Sequence, residues 1–78
     1  PWAVHDHNIR LANAAREMLG LAPGNSAIIT WADPEGTDLA AMQRAGIAAS
    51  GRAGNARVSF HLWNTDADVE MLRAALGR

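Results

Sequence analysis

Arg57, Ser59 and His61 alternate along the run Arg57-Val58-Ser59-Phe60-His61-Leu62, and these are the side chains best placed to do chemistry. A strand has a side-chain period of two, so these three share one face while Val58, Phe60 and Leu62 take the other. A guanidinium held in this way can grip a carboxylate through two parallel N–H···O bonds, which a lysine ammonium cannot do. Ser59 could add a hydroxyl beside it and His61 an imidazole, both as weaker contributors. Ordinary solvent exposure would also put Arg, Ser and His on a strand's outer face, and spacing alone does not separate the two readings.

The remaining constellations carry less. His-x-His at His5-Asp6-His7 puts two imidazoles on one side of an extended chain, but only Asp6 and His61 could complete a ligand set. A helix entry with solvated histidines accounts for it better, and no metal site is expected. Gly51-Arg52-Ala53-Gly54 lacks the strand before and the helix after that a phosphate cradle needs, so it reads as a hairpin turn. Arg52 in that turn is a candidate contact for an anion or a partner chain. Nothing places a base beside a nucleophile, so no Ser-His-Asp arrangement is argued. The chain has no cysteine and no lysine. Disulfides, thiolate chemistry and an internal Schiff base are therefore closed to it.

The elements that position Arg57 follow from periodicity and turn chemistry. Ile9, Ala12, Ala15, Met18 and Leu19 recur at helical spacing with Leu11 beside them, predicting a helix over His5 to Leu19. Asp6 or Asn8 would cap its start and Gly20 its end. Ser26 to Trp31 is β-branched and aromatic and reads as a strand. Asp33-Pro34-Glu35-Gly36 breaks the chain, and Thr37 is the expected N-cap of a short helix over Asp38–Ala45. Ile47 to Ser50 is a weak strand, Gly51 to Asn55 a turn, and Arg57 to Leu62 the return strand. Asn64 or Thr65 caps a last helix with Val69, Leu72 and Leu76 inward, Met71 and Ala75 beside them, and Gly77 at its end. The order α-β-α-β-β-α predicts a small two-layer α/β (α+β) domain. Its sheet should be three-stranded, antiparallel or mixed, with helices mainly on one face and the last strand between the other two.

Bulk properties narrow the classes. Seventy-eight residues form one domain over 1–78, and a net charge of −1 gives no basic footprint for nucleic acid. No apolar run approaches the ~18 residues of a membrane span, and no export signal is present, so a cytoplasmic protein is expected. A first residue that is Pro and three Trp in so short a chain point to a domain of something larger. Each Trp needs roughly 200 Å² of cover, so at least one of Trp2, Trp31 and Trp63 is expected to face a surface outside this chain.

The stretch Arg57-x-Ser59-x-x-x-Trp63-Asn64-Thr65, followed by Asp68-Val69, resembles the C-terminal motif of class V aminotransferases and cysteine desulfurases. The resemblance covers the last ~30 residues well and the rest loosely. It implies the small C-terminal domain of an enzyme that uses pyridoxal phosphate, with the Schiff-base lysine in an N-terminal large domain of the same protein. It implies that Arg57 clamps the α-carboxylate of an amino acid substrate, that Ser59 matches the motif serine, and that the domain forms part of a lid. It also implies a homodimer. Trp63 stands where the family more often has Tyr, keeping the packing and losing a hydroxyl. In desulfurases a long loop before the motif carries the persulfide-forming cysteine. Here only Gly51 to Asn55 separates the strands, so transamination, epimerisation or elimination remains open and desulfuration is disfavoured. Two other classes stay in view. One is a stand-alone noncatalytic module that binds a partner through an open sheet face; the other is a regulatory domain binding free amino acids through Arg57.

Overall fold

The computed structural model describes the chain over residues 2–60 and 64–78, with side chains from Asp6 onward; His61, Leu62 and Trp63 lie outside the described residues. The order is α1 (Trp2–Met18), β1 (Ile28–Ala32), α2 (Thr37–Arg44), β2 (Ala49–Arg52), β3 (Asn55–Ser59) and α3 (Asp66–Leu76). The three strands form one antiparallel sheet in the order β1-β3-β2. The last strand is therefore central, as the element order predicts. Arg57 pairs with Thr30 on one side and Ser50 on the other.

Alternation along the strands builds the core. Ile29, Trp31, Ala56, Val58 and Phe60 are buried on one face of the sheet. They pack with Leu11, Ala12 and Ala15 of α1, Met42 of α2, and Val69 and Leu72 of α3. The domain is thus a two-layer α+β sandwich, and no described element covers the other sheet face. No helix among the described residues is long and apolar enough to cross a membrane.

Several boundaries differ from the expectations, each for a local reason. The first helix begins at Trp2 rather than at His5, so Asp6 and Asn8 lie inside it and cap nothing. Helix α2 starts at Thr37 after Gly36, and the Asp33 carboxylate supplies the cap instead. Its Oδ1 accepts the Asp38 N–H at 3.1 Å and its Oδ2 the Leu39 N–H at 2.9 Å. Strand β2 begins two residues late because the end of α2 uses the backbone first. Gly46, at φ 78°, closes a Schellman turn in which the Ile47 N–H reaches the Met42 carbonyl at 2.9 Å. The expected five-residue turn tightens to Ala53-Gly54, with φ of 55° and 79°, the positive pair of a type I′ hairpin. At α3, Thr65 is the N-cap of a capping box, with its N–H 2.7 Å from Asp68 Oδ2. Met71, expected beside the core stripe, is 49% exposed.

At Gly51 a side chain would press on Leu39. A Cβ there would lie 2.5 Å from Leu39 Cδ2 and 3.0 Å from the Asn55 carbonyl. Its bareness lets α2 sit close on β2. Trp31 is only 7% exposed, and its indole N–H donates to Asp38 Oδ2 at 2.9 Å. This tryptophan is satisfied within the chain. Of the other two candidates for an external surface, the Trp2 side chain and Trp63 lie outside what is described.

Candidate carboxylate-binding site

The uncovered sheet face carries a charge bias that the net charge conceals. All eight acidic residues belong to helices or connecting loops, whereas the strands hold Arg52 and Arg57 and no acid. Arg57 sits on the central strand, with the hydroxyls of Thr30 and Ser50 as cross-strand neighbours at a Cβ spacing of about 4.5–5.5 Å. Its side chain is exposed and makes no hydrogen bond or ion pair with any described residue. A guanidinium flanked by hydroxyls and paired with no acid among the described residues can receive an anion, and its fork geometry favours a planar carboxylate.

Beyond Arg57 the sheet opens into a groove of about 490 Å³. It lies where the chain entering β2 has not yet paired with β3, so a gap separates Gly46–Ala48 from Phe60. Arg57, Ser50 and Ser59 line its outer side; Ile47, Val58, Phe60, Met71 and Leu72 give it an apolar wall; Asn64 and the half-buried Asp68 stand on the α3 side. The volume falls in the ~300–1,000 Å³ range usual for small-molecule sites. Arg57 and Ser59 are thus brought together, as the alternation predicts, whereas His61 lies outside the described residues.

The groove was not visible in the sequence. Its floor belongs to core-type residues from α3 and β3, and its existence depends on the late start of β2, which follows from the α2 cap. Asp68 is also double-valued. It reads as an acid suited to the positive end of α3, and it does serve that end, yet it also gives the groove one negative wall.

Arg44 and Arg52, like Arg57, make no hydrogen bond or ion pair with a described residue, whereas Arg10, Arg16, Arg73 and Arg78 do. Arg10 pairs with Asp66 at 2.8 Å, and this bond holds the Asp66 carboxyl below its ordinary value while raising the Arg10 guanidinium. Such an exposed pair between α1 and the start of α3 is worth little in stability. Arg73 pairs with Glu70 at 2.7 Å and Arg78 with Asp38 at 3.1 Å. His7 Nε2 donates to the Asn64 carbonyl at 2.8 Å, tying the middle of α1 to the turn before α3 rather than presenting a ligand at a helix entry. Among the described residues no three His, Cys, Asp or Glu side chains converge on a point.

Two functional-looking residues escaped the sequence reading, and both are structural. Arg16 is 8% exposed and donates to Asn13 Oδ1 at 2.8 Å and to the Ser26 and Ile28 carbonyls at 2.7 and 3.1 Å. No sequence signal marks it, since its acceptors lie ten and twelve residues ahead. Asp33 is 6% exposed, and the N–H of Leu39 and then that of Asp38 hold its carboxyl below the usual 3.8, against the opposing effect of desolvation. Here the Asp-Pro pair four residues before a helix was an available turn-and-cap signal.

Comparison with known proteins supplies no relative: no family model, no curated protein and no solved structure matches this chain.

Proposed function

We propose that this chain is the C-terminal small domain of a pyridoxal-phosphate-dependent, class V aminotransferase-like enzyme, in which Arg57 binds the carboxylate of an amino acid substrate. One observation carries the reading. The motif arginine occupies the central strand of an uncovered sheet face, unpartnered among the described residues, at the rim of a ligand-sized groove. Two further features support the reading: Ser59 shares that groove, and the capped turn at Asn64-Thr65 fixes the entry to α3.

The chain does not fit the cofactor by itself. It contains no lysine, so none of its side chains can hold pyridoxal phosphate as an imine. Under this reading the cofactor belongs to a large domain of the same protein, and the present domain orients the substrate and covers it. That large domain and a second subunit are the partners proposed for the uncovered face, in a cytoplasmic enzyme that binds no nucleic acid.

The open sheet face also favours a second reading, a stand-alone module that assembles through that face without catalysis. The reading frame upstream of Pro1 decides between them. A long continuous frame with a strand followed by a lysine supports the enzyme. A start codon directly before Pro1 removes it and leaves the module.

A further inference from the structure

We infer that the groove beyond Arg57 selects the ligand's other end, and that it accepts a carboxylate with an apolar tail: an amino acid with an aliphatic or aromatic side chain rather than an acidic or basic one. The inference rests on Arg57 being the carboxylate anchor and adds the substrate class.

Three features set the preference. The groove leads from Arg57 past Ile47 and Phe60 to Met71, so a molecule held by its carboxylate would lay its remaining atoms along an apolar wall. Met71 is one of two exposed large hydrophobic residues among those described, at 49%, and the only one of them that lines the groove. A half-bare methionine thioether is adaptable apolar surface, suited to tails of differing shape. At the α3 side the groove meets Asp68, whose Oδ2 is already engaged with the Thr65 N–H at 2.7 Å and with Asn64 Nδ2 at 3.4 Å. That carboxylate repels an acidic tail, and its prior engagement weakens its claim on a basic one.

The rival arrangement uses Arg52. It opposes Asn55 across the hairpin, so Arg52 and Arg57 are diagonal neighbours on the same face, at roughly 7–8 Å between their Cα atoms. Two guanidiniums at that spacing could hold a dicarboxylate lying on the open face, outside the groove. A tail reaching Arg52 never touches Met71, so the two arrangements make opposite predictions.

The test is a nuclear magnetic resonance titration of the 78-residue chain with acetate, hexanoate, 6-aminohexanoate and glutarate. The Arg57 side-chain Nε–H and the Met71 methyl serve as reporters. Acetate should move Arg57 alone. Hexanoate should move both and bind on the order of tenfold tighter than acetate, since each methylene placed against apolar surface contributes about fourfold when fully covered and less in an open groove. Met71→Ala should lower hexanoate affinity several-fold and leave acetate unchanged; the exposure of Met71 keeps this variant folded. Arg57→Ala removes one reporter, and the Met71 methyl should then no longer respond to hexanoate.

Equal affinity for acetate and hexanoate, with a silent Met71, overturns the groove assignment while leaving the Arg57 anchor standing. Tighter glutarate binding that is lost in Arg52→Ala overturns it in favour of the arginine pair. Tighter binding of 6-aminohexanoate than of hexanoate overturns it in favour of Asp68 as a cation site. If no carboxylate moves Arg57 even at about 0.5 M, where an exposed ion pair is partly populated, the anchor itself fails and the inference falls with it.

Discussion

Arg16 of α1 and Arg57 of β3 both meet the same sheet, yet their surroundings differ. Arg16 leaves α1 to cover the outer edge of β1. Its guanidinium reaches the Ser26 and Ile28 carbonyls and Asn13 Oδ1, with 8% of the residue exposed. Sheet edges present unpaired backbone groups that invite pairing with other chains, and a buried arginine on those carbonyls closes part of one such edge. Asn13 completes the tie, exchanging hydrogen bonds with the Gly24 backbone at 2.9 and 3.1 Å. Arg57 sits on the central strand with its backbone paired on both sides and its side chain unpartnered among the described residues. One arginine has its donors spent on the fold, while the other keeps them for something outside it. Residue type does not separate an arginine that holds the fold from one that could serve a ligand; free donors beside a groove do, and Arg57 has both.

The comparison can be broken most directly at Arg16. Arg16→Ala strands two carbonyls and an amide oxygen and removes the packed stem, so it should cost about 2–4 kcal/mol. For a domain of this size that is a fall in Tm of more than about 10 °C, readable by calorimetry. Arg57→Ala should change stability by less than about 0.5 kcal/mol, as expected for an exposed substitution that removes no partner. Equal costs for the two would erase the distinction.

Close packing under the open face gives the next effect. Gly51→Ala drives a methyl to 2.5 Å from Leu39 Cδ2 and should cost about 1–3 kcal/mol in denaturant unfolding, with an unchanged m-value. A neutral result would mean that the Leu39 side chain turns aside and that the seat of α2 on β2 does not depend on the missing Cβ.

A smaller effect of opposite sign belongs to the hairpin. Ala53 is a non-glycine residue at φ 55°, where Asn is tolerated better. Ala53→Asn should stabilise the chain by up to about 1 kcal/mol and leave carboxylate binding untouched, which separates the turn from the site.

The pH dependence sharpens the structural half of the comparison. The folded pKa of Asp33 lies below its ordinary 3.8, so its contribution is complete above that value and disappears as pH falls through the folded one. Stability should therefore drop in acid below about pH 4. Asp33→Asn should flatten that slope and lower the plateau at neutral pH. The same slope in both proteins would remove Asp33 as the cap of α2.

What could be read from the sequence divides along the same line. Alternation placed Val58 and Phe60 inward and Arg57 and Ser59 outward, because period two is a local property of any strand with one buried face. The central position of β3 followed from the strand–helix–strand–hairpin order. The role of Arg16 could not be read, because it depends on acceptors that only the tertiary fold brings near α1. The groove was hidden for a related reason. It is the gap left when Ile47 gives its N–H to the end of α2, and Met71 looks like a core residue until that gap is seen. The cap by Asp33 lay between these cases, legible as a turn and missed as a helix start because Thr37 offered a simpler cap.

The central claim is that Arg57 holds the substrate carboxylate, and kinetics of Arg57→Ala and Arg57→Lys in the complete, cofactor-loaded enzyme test it most directly. The account predicts at least about a tenfold loss in kcat/KM for amino acid substrates in Arg57→Ala, an unchanged cofactor absorbance, and only partial recovery in Arg57→Lys, because a point charge cannot replace the bidentate fork. Wild-type KM and kcat in Arg57→Ala would contradict it.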